Sequence, residues 1–331
     1  MASFTVDTDG TSGDYASFNA AIAAIDNAAL TEDTTVTCYA SGSADDTTAV
    51  DFSAINTTSD YRLTINVGDS NYRLRVNISG GAAIQLTGGF GSYSNITIDG
   101  MTIIGHGHAA NYTPTIEISH RDGTSIINGC EISTESHTYR DEIFNYVMDT
   151  AMNGINVVVN NFIVSGSTSA HAASRIFDFT DEGDQYFYNN TIIAGASTQS
   201  LYYAVSADND NSTTWYNNVL SGFAGVYNDL TPGTADYNMT DESWDLGGAN
   251  DEQDQTFVFV GSGDYHLDST DTGAQGNGTD LSSDATYAFS DDIDGDTRTT
   301  PWDCGADQYV ASGGASLSIP VAMKHYAMLR K

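Results

Sequence analysis

Ile96-Thr-Ile-Asp-Gly-Met-Thr-Ile-Ile-Gly105 is the first of five versions of one phrase. The others are Ser125-Ile-Ile-Asn-Gly-Cys-Glu-Ile-Ser133, Val157-Val-Val-Asn-Asn-Phe-Ile-Val-Ser-Gly166, Tyr186-Phe-Tyr-Asn-Asn-Thr-Ile-Ile-Ala-Gly195 and Thr214-Trp-Tyr-Asn-Asn-Val-Leu-Ser-Gly222. Aligned on Asp99, Asn128, Asn160, Asn189 and Asn217, they are spaced by 29, 32, 29 and 28 residues. A second apolar phrase precedes each one, as in Ala83-Ile-Gln-Leu86, Thr115-Ile-Glu-Ile118 and Arg175-Ile-Phe-Asp-Phe179. A period of this size marks a solenoid. Its units hold short alternating runs split by Asn, Gly or Asp, with no helical period. Asn tolerates left-handed backbone geometry and bonds its neighbours through its amide. The expected fold is therefore all-β, a single-stranded right-handed parallel β-helix of about 28–32 residues per coil. In the register this alignment implies, Asp99, Asn128, Asn160, Asn189 and Asn217 form a ladder at one turn. Ile98, Ile127, Val159, Tyr188 and Tyr216 then stack in one column beside it.

Outward from the repeats, residues 1–30 read as an N-terminal cap. Its helix lies within Asp14-Tyr-Ala-Ser-Phe-Asn-Ala-Ala-Ile-Ala-Ala-Ile25, with Phe18, Ile22 and Ile25 on one face and Asp14 or Ser17 as N-cap. Such a helix laid across the open end of a solenoid shields an unpaired strand. Coils fill 31–227, and the period loosens over 228–310, expected as irregular C-terminal coils that close the stack. Residues 311–316 are a Gly/Ser linker. Residues 317–331 are a basic amphipathic tail, expected as a helix with Pro320 in its first turn. Ile319, Ala322, Met323, Tyr326 and Leu329 form its apolar face, which suits docking onto a partner.

The chain carries 44 acidic against 10 basic residues, a net charge of −34, and its first 323 residues contain no lysine. That balance excludes a nucleic-acid partner, whose phosphates need Lys and Arg, and an acidic membrane surface. Solubility and salt tolerance explain it most simply; a calcium-binding surface is the second reading. No run reaches membrane-spanning length and no apolar leader segment follows Met1, so a soluble chain without a secretory signal is expected. Cys38, Cys130 and Cys304 lack metal-type spacing, and Cys130 sits where a small buried thiol is expected.

The candidate catalytic residues are weak. Glu117 and Asp178 occupy matching strand phrases two coils apart, which at ~4.8 Å per coil puts them ~10 Å apart. Retaining glycosidases need less, and that distance only touches the inverting range. Gly105-His-Gly107 reads as a turn. His106, His108, His120 and His137 could share a metal across coils, although solvated loop histidines are the plainer reading. Asp292, Asp294 and Asp296 alternate as calcium ligands do, with Arg298 close enough to neutralise them; a structural Ca2+ is the one cofactor candidate.

Asp292-Ile-Asp-Gly-Asp-Thr-Arg298 followed by Trp302-Asp-Cys-Gly-Ala-Asp-Gln-Tyr309 resembles the terminal signature of a family of right-handed β-helix proteins. Members occur on bacterial surfaces and among uncharacterised tailed-bacteriophage virion proteins. Cys304 stands where the family usually has an aliphatic residue, and Gln308 where Glu is commoner. Gly13-Asp-Tyr-Ala-Ser-Phe-Asn-Ala-Ala-Ile22 is similar to the N-terminal cap of those phage proteins. The resemblance implies a virion-surface context and assigns no catalytic residue. The expected function is a structural and adhesive protein of a tailed phage, in capsid decoration, fibre or tail. It would attach to other virion proteins through 317–331 and contact a host surface glycan, with a trimeric homo-oligomer among the expected assemblies. A tailspike-like polysaccharide depolymerase and a bacterial surface adhesin are the alternatives.

Overall fold

A computed structural model describes residues 1–9, 13–25, 30–40, 45–53, 55, 60–69, 71–87, 93–107, 113–119, 122–139, 141–146, 154–168, 175–179, 184–196, 199–204, 213–227 and 233–310. The tail residues Ile319, Ala322, Met323, Tyr326 and Leu329, the linker, His108 and His120 lie outside these. The described chain is a parallel β-helix whose coils feed strands into three sheets. The first sheet has nine strands, from Ala2–Asp7 through Asp122–Asn128 and Ile155–Val159 to Thr234–Asp236. The second and third have seven each, running from Arg73–Asn77 to Met239–Thr240 and from Val50–Asp51 to Gly225–Tyr227. Every pairing within these sheets is parallel. Helix α1 (Phe18–Ile25) packs against the first strands of the first and third sheets, with Phe18 edge-on to Phe52 at 5.8 Å. Ser17 is its N-cap, its Oγ accepting from the Ala20 N–H at 3.2 Å. Asp14 instead accepts from Thr5.

The register corrects the phrase alignment. Asp99 and Asn128 pair with Val159, Tyr188 and Tyr216, one residue before the Asn of each later phrase. The inward column is therefore Ile98, Ile127, Val158, Phe187 and Trp215, all at 1% exposure or less. Val159, Tyr188 and Tyr216 face outward. The cause is the left-handed turn that ends the strands of this sheet from Tyr93–Asp99 onward. Asn160, Asn189 and Asn217 occupy it at φ 55°, 51° and 58°, whereas the first two phrases use Gly100 and Gly129 at 69° and 62°. Either residue type serves there, so aligning Asp99 and Asn128 with Asn160 slips the register by one, while Asn160, Asn189 and Asn217 do share one turn. A one-residue slip moves every side chain to the other face. Side-chain bonds still join the expected ladder in two pieces: Asn128 donates to Asp99 (2.7 Å) and Asn160 to Asn128 (3.4 Å), and Asn217 donates to Asn189 (3.0 Å).

The buried ladder is built by the second Asn of each pair. Asn161 donates Nδ2 to Asn190 Oδ1 (3.0 Å), Asn190 to Asn218 (3.1 Å) and Asn218 to Asn238 (2.8 Å). Each Oδ1 also accepts the backbone N–H one coil back, as Asn190 does from Asn161 at 3.1 Å. Asp251 closes the series by accepting from Asn238. Cys130 occupies the equivalent place one coil earlier: its Sγ takes the Met101 N–H at 3.4 Å, and its own N–H goes to Asn161 Oδ1 at 2.8 Å. Buried turns are thereby satisfied without water.

Residues 233–310 extend the coil only briefly. After the strands Thr234–Asp236 and Met239–Thr240, an antiparallel hairpin (Phe259–Gly261, Asp264–Leu267) crosses the outside, and residues 274–309 run back along the flank of the first sheet. The expectation of closing coils is corrected for this stretch. Its physical reason is that the first sheet is apolar on both faces: Ile126, Val157, Val159 and Tyr188 point outward and are buried by Leu281, Phe289 and Trp302.

Candidate functional site

The terminal signature fastens this flanking segment. Arg298, 5% exposed, donates to Asn160 Oδ1 at 2.9 Å and to the carbonyls of Gly305 (3.0 Å) and Ala306 (2.7 Å), and lies over the Trp302 ring. The first Asn of each pair supplies the coil side of the contact. Asn160 donates to the Asp291 carbonyl, Asn189 to those of Asp303 and Gly305, and Asn217 exchanges two bonds with the Thr279 backbone. Gly305 approaches at φ 90°, and a Cβ there would stand 2.6 Å from Thr191 Oγ1. Asp303 accepts the amides of Gly276 and Tyr309, both at 2.7 Å, and burial pushes its carboxyl up to about 6. Burial likewise pulls the Arg298 guanidinium down to about 10. Cys304 is fully buried among Val219, Met239, Leu267 and Ala274, so it serves as a small apolar residue.

Asp292, Asp294 and Asp296 do not converge. Asp292 accepts the amides of Asp294 (3.0 Å), Asp296 (2.8 Å) and Gln308 (3.2 Å), which closes the turn, while Asp294 faces His266. Glu117 and Asp178 do share one column of the third sheet, each pairing with Asn145 between them. Arg175 bridges Asp178 to Glu142, so the Asp178 charge is compensated. Glu117 is half-buried, and burial raises its carboxyl. Gly105 and His106 end the strand Thr102–His106, and Gly107 turns at φ 69°.

The hairpin creates the concave surface that sequence reading missed. On the second sheet Ile132 and Ile163 point inward, while Glu131, Ser133, Phe162 and Val164 face out. Gly263–His266 lies across them and leaves a groove of about 530 Å³. Phe162 meets the His266 ring edge-on at 5.0 Å and Tyr265 at 6.2 Å. Asp264 holds His266 Nδ1 at 2.6 Å, and Asp294 stands 3.3 Å from Nε2. The bond to Asp294, reinforced by Asp264, raises the imidazole to about 10. Among the described residues, His266, Asp294 and Asp307 form the one group of three metal-type side chains, their donor atoms within 4.8 Å of one another. In sequence these residues are separated from Phe162 by more than a hundred positions and by no repeat. Asp264-Tyr-His-Leu267 shows only an alternation that any strand could have.

No protein-family model matches the chain, and neither do any curated proteins or solved structures. Fold and site define its class: a parallel β-helix clasped along one flank by its own C-terminal segment. No helix among the described residues is long and apolar enough to cross a membrane.

Proposed function

We propose that this chain is a structural and adhesive protein of a tailed-phage particle, a rigid acidic projection that holds a surface glycan. The observation that carries the reading is the use of the terminal signature. Asp292, Arg298, Asp303 and Gln308 all direct their side chains at the chain's own backbone, so the residues that carry the resemblance serve to fasten the chain. A signature devoted to fastening suits a scaffold. The groove beside it offers Tyr265 and His266 as ring walls with Glu131 and Asp264 as acceptors, a surface for a sugar ring. The net charge of −34 opposes polyanionic chains, so the glycan is neutral or cationic.

Attachment runs through residues 317–331. Crowded acidic bodies gain no adhesion from one another, and burying four apolar tail side chains contributes ~6–10 kcal/mol before ordering costs. The test is deletion of 317–331 in a tagged chain, followed by assay of gradient-purified virions. The expected result is a folded protein absent from particles; normal incorporation of the truncated chain overturns the proposed attachment.

A further inference from the structure

We infer that His266, Asp294 and Asp307 bind one divalent transition-metal ion of the zinc class at the edge of the groove. The three residues come from separate stretches: the hairpin, the turn after Asp292, and the last segment of the signature. Their donor atoms lie within 4.8 Å of one another. An imidazole nitrogen with two carboxylates is an N/O set that zinc accepts as three protein ligands with water completing a tetrahedron. Calcium prefers oxygen donors and gains little from imidazole.

The surroundings match what such ligands need. Metal-bound histidines present one nitrogen while the other is fixed by a carboxylate, and Asp264 occupies Nδ1 at 2.6 Å, leaving Nε2 toward Asp294. Asp307 is 7% exposed and is oriented by the Leu267 N–H at 2.7 Å. Asp294 is the exposed member, with its side chain at 52%, so it can swing the short distance that bonds of about 2.0–2.2 Å require. The Asp294 carboxylate meets His266 rather than the clasp's own backbone, whereas Asp292 closes the turn and Arg298 binds the coil. An ion here ties the hairpin to the clasp and fixes one wall of the groove.

The test is equilibrium dialysis of the full chain against Zn2+ at seawater ionic strength, which screens diffuse attraction to the acidic body. Metal content and melting temperature are then measured. One equivalent of zinc and a raised melting temperature are expected. Asp294→Asn and His266→Gln should abolish stoichiometric retention, and Asp264→Asn should weaken affinity about 10–100-fold. Co2+ in place of zinc should give visible d–d absorption, lost in His266→Gln. Glu32→Gln, at the far end of the coil, should retain zinc as wild type does. No stoichiometric zinc on the wild-type chain, or equal retention by Asp294→Asn and His266→Gln, overturns the assignment and leaves an imidazolium held between carboxylates.

Discussion

Asn190→Ala tests whether the second Asn of each pair holds the coil together. Asn190 is fully buried and makes four bonds. Its Oδ1 accepts from Asn161 N and Nδ2, and its Nδ2 donates to the Val158 carbonyl at 2.8 Å and to Asn218 Oδ1. Truncation strips the Asn161 N–H of its acceptor in a site that water does not reach. An orphaned buried donor costs about 1–3 kcal/mol and each of the three further lost bonds about 0.5–1.5, so the loss should be about 2.5–7.5 kcal/mol. Asn189→Gly is the control. It keeps the left-handed turn and removes three contacts, to Asp303, Gly305 and Asn217, none of which leaves a backbone N–H orphaned, at a cost of about 1.5–4.5 kcal/mol. Urea unfolding followed by circular dichroism gives both midpoints. An Asn190→Ala loss no larger than that of Asn189→Gly would refute the division of labour between the two asparagines.

Cys130→Asn should extend the ladder by one rung, with Oδ1 accepting from Met101 N and Nδ2 reaching Asn161, and should stabilise the chain by about 1 kcal/mol; a lower urea midpoint would count against the equivalence. Arg298→Met leaves Asn160 Oδ1 without a donor and removes one bond each from the Gly305 and Ala306 carbonyls, which keep Asn189 Nδ2 and the Ile293 N–H, and should cost about 2–6 kcal/mol. Hydrogen exchange should then rise across 274–309 while the strands Ile155–Val159 and Asp184–Tyr188 stay protected, and unchanged protection of the flank would show that Arg298 is not the clasp. Asp303 has its folded carboxyl raised to about 6 from an ordinary 3.8, so the folded chain holds a proton that the unfolded chain releases. Its contribution is therefore most favourable below about pH 4 and declines as pH rises through 6. In Asp303→Asn the fall in stability between those values should flatten, and an unaltered slope would assign it to other groups.

The coil was legible because its physics is local. Alternating runs such as Thr97-Ile98 and Ile132-Ser133 define inward and outward faces, and Asn or Gly marks each turn. The register is hidden for an equally physical reason: Gly100 and Asn160 satisfy the same left-handed position, so the phrase cannot show which residue turns. The flank was also written in the sequence. Val157-Val-Val159 and Tyr186-Phe-Tyr188 are continuous apolar runs, the mark of strands buried on both faces. The groove was not legible. It depends on the hairpin at 259–267 landing on Phe162, a contact no repeat announces. Asp292, Asp294 and Asp296 look equivalent in sequence, and only the fold turns one inward to backbone amides and another toward His266.

The most direct test of an adhesive rather than degradative protein is incubation of the purified chain with host-surface polysaccharide, scoring bound protein and released ends together. The expected result is retention on the polysaccharide with no new reducing ends or unsaturated sugars, and retention lost in Tyr265→Ala. Release of such products, abolished by Glu117→Gln or Asp178→Asn, would contradict it and make the third sheet a catalytic face.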